Sequence, residues 1–271
     1  LQGSANLEFW ETYKLPEIYQ QLVAADNALA SVLAASSEAD STAVASAEAD
    51  NVAKADSTNQ AATTSETDSL LAKIQDSPEA EQNQSAEEFA KQHPLFALLQ
   101  LNQYNGQLAP SAVVGYAQAK DMEKINEYLN MKQVKDALPR NLSLKWGVKA
   151  MDEKGLFFEL YALKVTNRDG SPALGGDVIT DASSDFVQQP GISGQQVSMT
   201  MNAEGAKAWA RLTKDNVGRS IAIVLDDMVY SAPNVQGEIT GGHSQITGNF
   251  TPEEAKDLAN VLKSGKMAAS V

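Results

Sequence analysis

The 271-residue sequence predicts an α+β fold. Between residues 175 and 266, strand alternation, turn residues and helix caps agree with one another. The stretch Val197–Met201 alternates apolar and polar residues, as a half-buried strand does. A helix begins at Pro252, where Thr251 and Glu254 are spaced as a capping box. The order strand, helix, strand, strand, strand, helix resembles the ferredoxin-like pattern.

The net charge of -14 is unevenly distributed along the chain. Residues 1–100 carry 16 acidic and 4 basic residues, whereas residues 101–271 carry 19 and 17. Without a basic stripe, the sequence is a poor candidate for binding nucleic acid or an anionic membrane surface. The absence of cysteine excludes disulfides, thiolate metal sites and cysteine nucleophiles.

We next consider sequence patterns for membrane insertion and for secretion. No run of about 18 apolar residues occurs, so we expect no direct insertion of this chain into a membrane. The sequence opens at Leu1 without a signal-peptide pattern. We therefore expect either a cytosolic protein or an excised piece of a larger one.

The first hundred residues predict one strand and then an acidic helical insertion. Residues 5–10 place Leu7 and Phe9 on one face, which indicates a short strand with a partner remote in sequence. Ala, Ser, Asp and Thr dominate from residue 34 to 67, so this part is expected to lack a core. The apolar run Leu95–Leu99 can dock the insertion on the body. Helices are predicted at about 16–33, 69–74 and 85–92.

The middle of the chain predicts helices and a hairpin. Asp121 is expected to cap a helix that is interrupted at Asn130 and continues to Pro139. Residues 142–148 alternate apolar and polar, and residues 157–165 are apolar on both faces. A β-hairpin with one half-exposed and one more central strand explains this pair.

The remaining elements follow from turns and caps. Asn202 is expected to cap a helix. A hairpin turns at Asp226-Asp227, because Asp tolerates the left-handed conformation. A final strand at residues 244–247 follows the Gly241-Gly242 pair.

Few residues suggest catalysis. His243 beside Ser244 could act with an Asp in a hydrolase, but the sequence lacks a nucleophile-turn signature. Asp177, Asp181 and Asp185 recur every four residues, yet they match no EF-hand spacing and are expected in turns and caps. We predict no catalytic residue and no metal site.

One apolar group of residues and two glycine pairs each have two interpretations. Met199, Met201 and Trp209 could form an adaptable substrate-contact surface, although such residues more often form core. The pairs Gly175-Gly176 and Gly241-Gly242 match no GxGxxG or P-loop pattern, so no nucleotide cofactor is expected.

Several long motifs resemble the SecD family of protein translocase subunits, including its fused SecDF forms. They are GDVITDA (176–182), TKDNVGRSIAIVLDDMVYSAP (213–233), ITGG (239–242) and ITGNFTPEEAKDLANVLKSGK (246–266). ANLEFW (5–10) and LPRNLSLKWGVK (138–149) are also similar to this family. The resemblance covers residues 1–13 and 110–271, and identifies the family's first large periplasmic domain.

The resemblance implies a split ferredoxin-like base with an inserted α+β head, to which this chain adds the acidic insertion. The implied division is a base strand at 1–13, the insertion at 14–109, base helices and hairpin at 110–175, the head at 176–240, and a base strand with the C-terminal helix at 241–271. The two glycine pairs then lie at the crossings between head and base. Glycine could absorb a rotation there, so we predict hinges; tight turns alone are the alternative.

The implied function is to assist export, not catalysis. A domain of this family would lie on the periplasmic face of the bacterial inner membrane, bind unfolded preprotein and move head against base. Other segments of SecDF, absent here, would contact SecYEG and use the proton-motive force. A periplasmic hydrolase that uses His243 and Ser244 with an Asp is the alternative, and a scaffold whose acidic arm docks a basic partner is a third.

Overall fold

The computed structural model describes residues 6–42, 82–152, 154–189, 192–247 and 250–264. The helix predicted at 69–74, the helix stop predicted at Gly265 and residues 43–81 of the acidic insertion lie outside the described residues. The helices are α1 (Leu15–Thr42), α2 (Gln82–Gln92), α3 (Met122–Asn130), α4 (Lys132–Ala137), α5 (Ala203–Asp215) and α6 (Pro252–Ser264). The described part contains no helix that is both long and apolar enough to cross a membrane.

The strands are distributed over two main sheets and one two-stranded ribbon. They are β1 (Leu7–Thr12), β2 (Gln100–Leu101), β3 (Gln103–Tyr104), β4 (Gln107–Leu108), β5 (Val113–Gln118), β6 (Leu142–Ala150), β7 (Phe157–Lys164), β8 (Leu174–Gly175), β9 (Ile179–Gln189), β10 (Ile192–Met201), β11 (Ile221–Leu225), β12 (Met228–Ser231) and β13 (His243–Thr247). The mixed α and β content agrees with the predicted α+β class.

The larger sheet has eight strands and closes on itself. Its order is β2-β5-β7-β6-β12-β11-β1-β8, and β1 also pairs with β7, so β7, β6, β12, β11 and β1 form a ring. Closure leaves these strands without free edges. Trp10, Leu163, Ala222, Val224 and Val229 form a small cluster contributed by four of the ring strands.

The smaller sheet is antiparallel, with the order β13-β10-β9. It packs with α5 and α6 against β1 and β11 through a second cluster, which we call the C-terminal core. Strand alternation explains how β1 serves two clusters: Leu7 and Phe9 face the C-terminal core, whereas Trp10 belongs to the ring cluster. The partner of β1 is remote in sequence, as predicted, because β1 pairs with β11.

A third cluster lies under α1 and α3. Leu15, Ile18, Leu22 and Leu29 from α1 meet the apolar run that begins at Leu95. This confirms that the apolar run Leu95–Leu99 docks on the body, since Leu95 and Leu99 are buried. The predicted stripe of α1 is therefore the face that holds the helix on the sheet.

An ion pair ties α1 to the ring. The Arg219 guanidinium donates to both Glu17 carboxylate oxygens, at 2.8 and 2.5 Å. These bonds favour the charged carboxylate and lower the pKa of Glu17 to about 2. The pair is half-exposed, so its contribution to stability is modest.

Most predicted caps and hairpins are confirmed. The Asn202 side chain accepts a hydrogen bond from the Gly205 amide at 2.8 Å. Thr251 and Glu254 form the reciprocal capping box, with bonds of 3.0 and 3.2 Å. The hairpins β6–β7 and β11–β12 are present as expected.

One local prediction was wrong, and one strand was missed. Asp121 has helical backbone angles and makes no capping bond, because it ends a 3₁₀ turn that leads directly into α3. Strand β5, which contains Gly115, was not predicted. That glycine allows β2 to approach closely: a Cβ there would lie 2.3 Å from the Gln100 carbonyl oxygen.

The division into a head at 176–240 and a base at 241–271 stays a prediction, but strand pairing crosses its boundary. Strand β13 pairs with β10, and α6 packs on β9 and β10, so the last strand and helix belong with the smaller sheet. Strand β11, placed in the head, pairs along β1, placed in the base. A glycine turn looks the same in sequence whether it joins two lobes or two strands of one lobe. The specific split ferredoxin-like arrangement remains a prediction.

Candidate functional site

A cleft of about 350 Å³ opens at one side of the C-terminal core. It lies between β13 and the segment 233–239 that precedes it, with α5 and β11 forming its inner wall. No lining side chain is charged. The apolar lining comprises Met199, Trp209, Ile221, Ile223, Pro233, Val235, Ile239 and Ile246, and the polar lining includes Thr213, Asn234, Gln236, Ser244 and Gln245.

Local sequence explains how these side chains converge. Alternation on β11 turns Ile221 and Ile223 toward the cleft and Ala222 toward the ring cluster. The segment 233–239 is held at two points. Val235 exchanges backbone hydrogen bonds with Gly218 and Arg219, and the Ile239 amide donates to the Thr213 hydroxyl at 2.9 Å.

Trp209 is the chemically distinctive residue of the cleft. It is 5% exposed and packs edge-on against Phe9, with ring centroids 5.2 Å apart. Its indole Nε1 is buried without a hydrogen-bond partner; among the described residues only Gln21 Oε1 shares this condition. By contrast, the Trp10 and Trp146 indoles donate to Glu8 and Asn126, each at 2.8 Å.

An orphaned buried N–H is costly. Leaving such a donor unsatisfied costs about 1–3 kcal/mol, which native proteins normally avoid. Nε1 itself has no exposed surface, so an acceptor in the cleft reaches it only when the side chains that bury it move aside. The uncharged lining of the cleft is suited to an uncharged ligand with an apolar part.

The two methionines and Trp209 are buried in the C-terminal core. Met199, Met201 and Trp209 are 2, 7 and 5% exposed. Met199 and Trp209 also line the cleft, whereas Met201 does not. A substrate-contact role is thus confined to the edge of the core that Met199 and Trp209 form.

The hydrolase arrangement is not formed. Neighbouring residues on a strand point to opposite faces, so Ser244 is buried toward the cleft whereas His243 is exposed. His243 Nδ1 instead lies 3.1 Å from the Thr200 hydroxyl oxygen. A general base must reach the nucleophile, and this pair does not meet that condition.

Of the spaced aspartates only Asp177 lies in a turn, so the prediction of turns and caps was wrong for Asp181 and Asp185. Asp177 lies in a 3₁₀ turn, and Asp181 and Asp185 are exposed on β9. Asp185 accepts a hydrogen bond from Ser183, and Asp181 lies 3.9 Å from the Lys263 ammonium. Within the described ranges, no three acidic or histidine side chains are grouped to hold a metal ion.

The glycine pairs meet local geometric requirements. Gly241 and Gly242 have φ of 86° and 73°, the left-handed region that favours glycine, and they form the turn into β13. A Cβ on Gly242 would lie 2.8 Å from that of Ala206, and one on Gly176 would lie 2.6 Å from that of Leu7. Gly175 is extended. Tight turns and close packing account for most of these positions, and the hinge role stays a prediction.

A buried carboxylate that the sequence analysis overlooked organises the other end of the chain. Asp26, on α1, is fully buried and accepts hydrogen bonds from the Leu95 amide at 2.8 Å and from His93 Nδ1 at 2.7 Å. Burial raises the pKa of Asp26, while these donors oppose the shift. His93, which directly follows α2, joins this site. The signal was available, since Asp26 falls on the apolar stripe between Leu22 and Leu29.

Comparison with known proteins gives one consistent family. A family model described as SecDF, P1 head subdomain, matches residues 161–269. The SecD protein translocase subunit of Rhodothermus marinus is 36% identical over 276 positions, which cover 100% of this chain and 38% of that protein. That of Leptotrichia buccalis is 39% identical over 113 positions, 40% of this chain and 27% of the relative. The chain thus spans about two fifths of the length of the first relative.

Solved structures of SecDF are also similar. One, described as a membrane component that enhances protein export, is 22% identical and covers 96% of this chain and 93% of its own, with a TM-score of 0.30. Both curated relatives are named protein translocase subunits, a class distinct from hydrolases.

Proposed function

The chain belongs to the SecD/SecDF family of protein translocase subunits, and on that premise we propose that it is a periplasmic domain that holds emerging unfolded preprotein. In this proposal the cleft beside Trp209 receives an apolar side chain of the polypeptide. The chain acts by binding and not by catalysis. It would lie on the periplasmic face of the bacterial inner membrane.

The uncharged, largely apolar lining of the cleft is the observation that supports this proposal most strongly. An unfolded polypeptide also carries a backbone carbonyl beside every side chain, which can accept from Trp209 Nε1 once the side chains that bury this nitrogen move aside. The lining is uncharged, so entry of an aliphatic or aromatic side chain requires no ion to be desolvated. We therefore expect the cleft to bind apolar segments of many different sequences.

The expected affinity is low, as a translocation aid requires. Burying one large apolar side chain contributes about 1.5–3 kcal/mol. One hydrogen bond adds about 1 kcal/mol. The two contributions together correspond to a dissociation constant of about 1 mM at best. Such binding retains a segment briefly and releases it.

The rest of the proposed activity depends on parts of the protein outside this chain. In the whole protein, other SecDF segments would contact SecYEG and couple the proton-motive force to movement of this domain. The family match at residues 161–269 and the shared C-terminal core support a moving head that includes β13 and α6. With β13 and α6 in the head, Gly241-Gly242 lies inside the head, so this proposal keeps the hinge motion at Gly175-Gly176.

Crosslinking in the full-length membrane protein tests the proposal. A photo-reactive amino acid replaces Gln236, which is exposed and lines the cleft, while a preprotein is stalled in the translocon. The matched control is Gln133, which is exposed on α4 near the other core. We expect several-fold more crosslinking to preprotein from position 236. Equal yields from both positions, or none from position 236, would contradict the proposal.

A further inference from the structure

The cleft is bordered by an open sheet edge. Strand β13 pairs with β10 on one side, and in the described part of the chain no strand pairs with its other side. An exposed edge presents unpaired N–H and C=O groups, which serve as a template for another strand. Ser244, Gln245 and Ile246 of this strand line the cleft, so the edge and the apolar site are continuous.

The direction of the backbone groups follows from the register. The Met201 amide donates to the Gly242 carbonyl at 2.8 Å, and Met199 is paired with Ser244. In an antiparallel ladder, hydrogen-bonded pairs alternate with pairs whose groups point away. The backbone groups of Ser244 and Ile246 therefore point to β10, whereas those of His243 and Gln245 point to the open edge.

We propose that preprotein binds by adding an extended strand to the open edge of β13, with one of its side chains in the cleft. This inference rests on the proposed function and specifies its binding mode. Two donors and two acceptors, at His243 and Gln245, match the alternating groups of an extended peptide. A helical segment cannot match them, because its backbone groups are already paired within the helix.

The added strand also satisfies the requirements of the cleft. Side chains of paired strands share a face at matching positions, so the residue opposite Ser244 would project toward the C-terminal core, where the cleft lies. Because the lining carries no charge, that residue is expected to be uncharged and apolar.

The proposal predicts a backbone-dependent selectivity. Segments that are extended, apolar and free of proline should bind, whereas proline at an edge-facing position should be rejected because it has no N–H. Selection by backbone groups tolerates many side-chain sequences. It therefore fits a site that must accept unrelated preproteins.

Peptides methylated at backbone nitrogens test whether preprotein binds by strand addition. A seven-residue peptide with a central leucine is prepared in two forms, one N-methylated at positions 3, 5 and 7 and the other at positions 2, 4 and 6, and each is titrated against the 271-residue chain by NMR. We expect one form to bind at least tenfold more weakly than the unmodified peptide and the other to bind within about twofold. The two forms are matched, since each carries the same kind of modification.

The remaining outcomes separate the two proposals. Equal binding by all three peptides, or equal loss in both methylated forms, would overturn strand addition and leave preprotein holding intact. No binding by the unmodified peptide would overturn the proposed function itself. The variant Gln245→Pro gives a second readout. It removes an edge-facing N–H where proline is tolerated, so it should weaken binding several-fold; unchanged affinity in the folded variant would also overturn strand addition.

Discussion

Trp209→Ala is expected to lower the free energy of unfolding by about 3–5 kcal/mol, the largest effect of any single substitution in the C-terminal core. The side chain is buried, packs against Phe9 and joins α5 to β1. Alanine would leave a cavity that the surrounding sheets cannot fill. Urea unfolding followed by circular dichroism measures the loss.

Trp209→Phe separates packing from the indole N–H, and Trp146→Phe is its matched control. Both tryptophans are 5% exposed, but Trp146 donates to Asn126 whereas Trp209 donates to no group. Trp146→Phe loses a hydrogen bond. We therefore expect Trp209→Phe to lower the free energy of unfolding by about 1 kcal/mol less than Trp146→Phe does. An equal or larger cost for Trp209→Phe would show that its N–H is satisfied within the protein.

Asp26→Ala is expected to lower the free energy of unfolding by on the order of 3 kcal/mol. The substitution leaves the Leu95 amide and His93 without their acceptor, and each orphaned buried donor costs about 1–3 kcal/mol. The turn at residues 93–99 would lose its anchor on α1. The loss is measured as a shift of the urea midpoint and as faster amide hydrogen exchange at Leu95.

Asp26→Asn is the control for this prediction. The amide oxygen can still accept from the Leu95 amide, and the amide nitrogen can donate to a neutral His93. We therefore expect less than half of the alanine effect. If both variants are equally unstable, the charge of Asp26 and not its hydrogen bonds holds the turn.

Local structure was predictable because short-range chemistry determines it. The capping box at Thr251 and Glu254, the Asn202 cap and the Asp226-Asp227 turn depend on residues within four positions of each other. These features were predicted and are present. The long motifs also indicated the family, and the core position of Trp209 followed from its spacing on a helix.

Strand partners were not predictable in the same way. β13 has the alternation of an edge strand in either sheet, and only tertiary packing selects β10 as its neighbour. The cleft is formed by segments from α5, β10, β11 and β13, so no local sequence pattern predicts it. Asp26 was overlooked, although it falls on the apolar stripe of α1 between Leu22 and Leu29.

The central claim is that the Trp209 indole meets an acceptor from an unfolded polypeptide in the cleft. The most direct measurement is the ¹⁵N–¹H spectrum of the three indole groups during titration with an apolar, unfolded peptide. Trp10 and Trp146 serve as internal controls, since their indoles already have partners. We predict that the Trp209 signal moves downfield saturably while the other two stay in place. A Trp209 signal that stays fixed while the peptide binds, or equal movement of all three, would contradict the account.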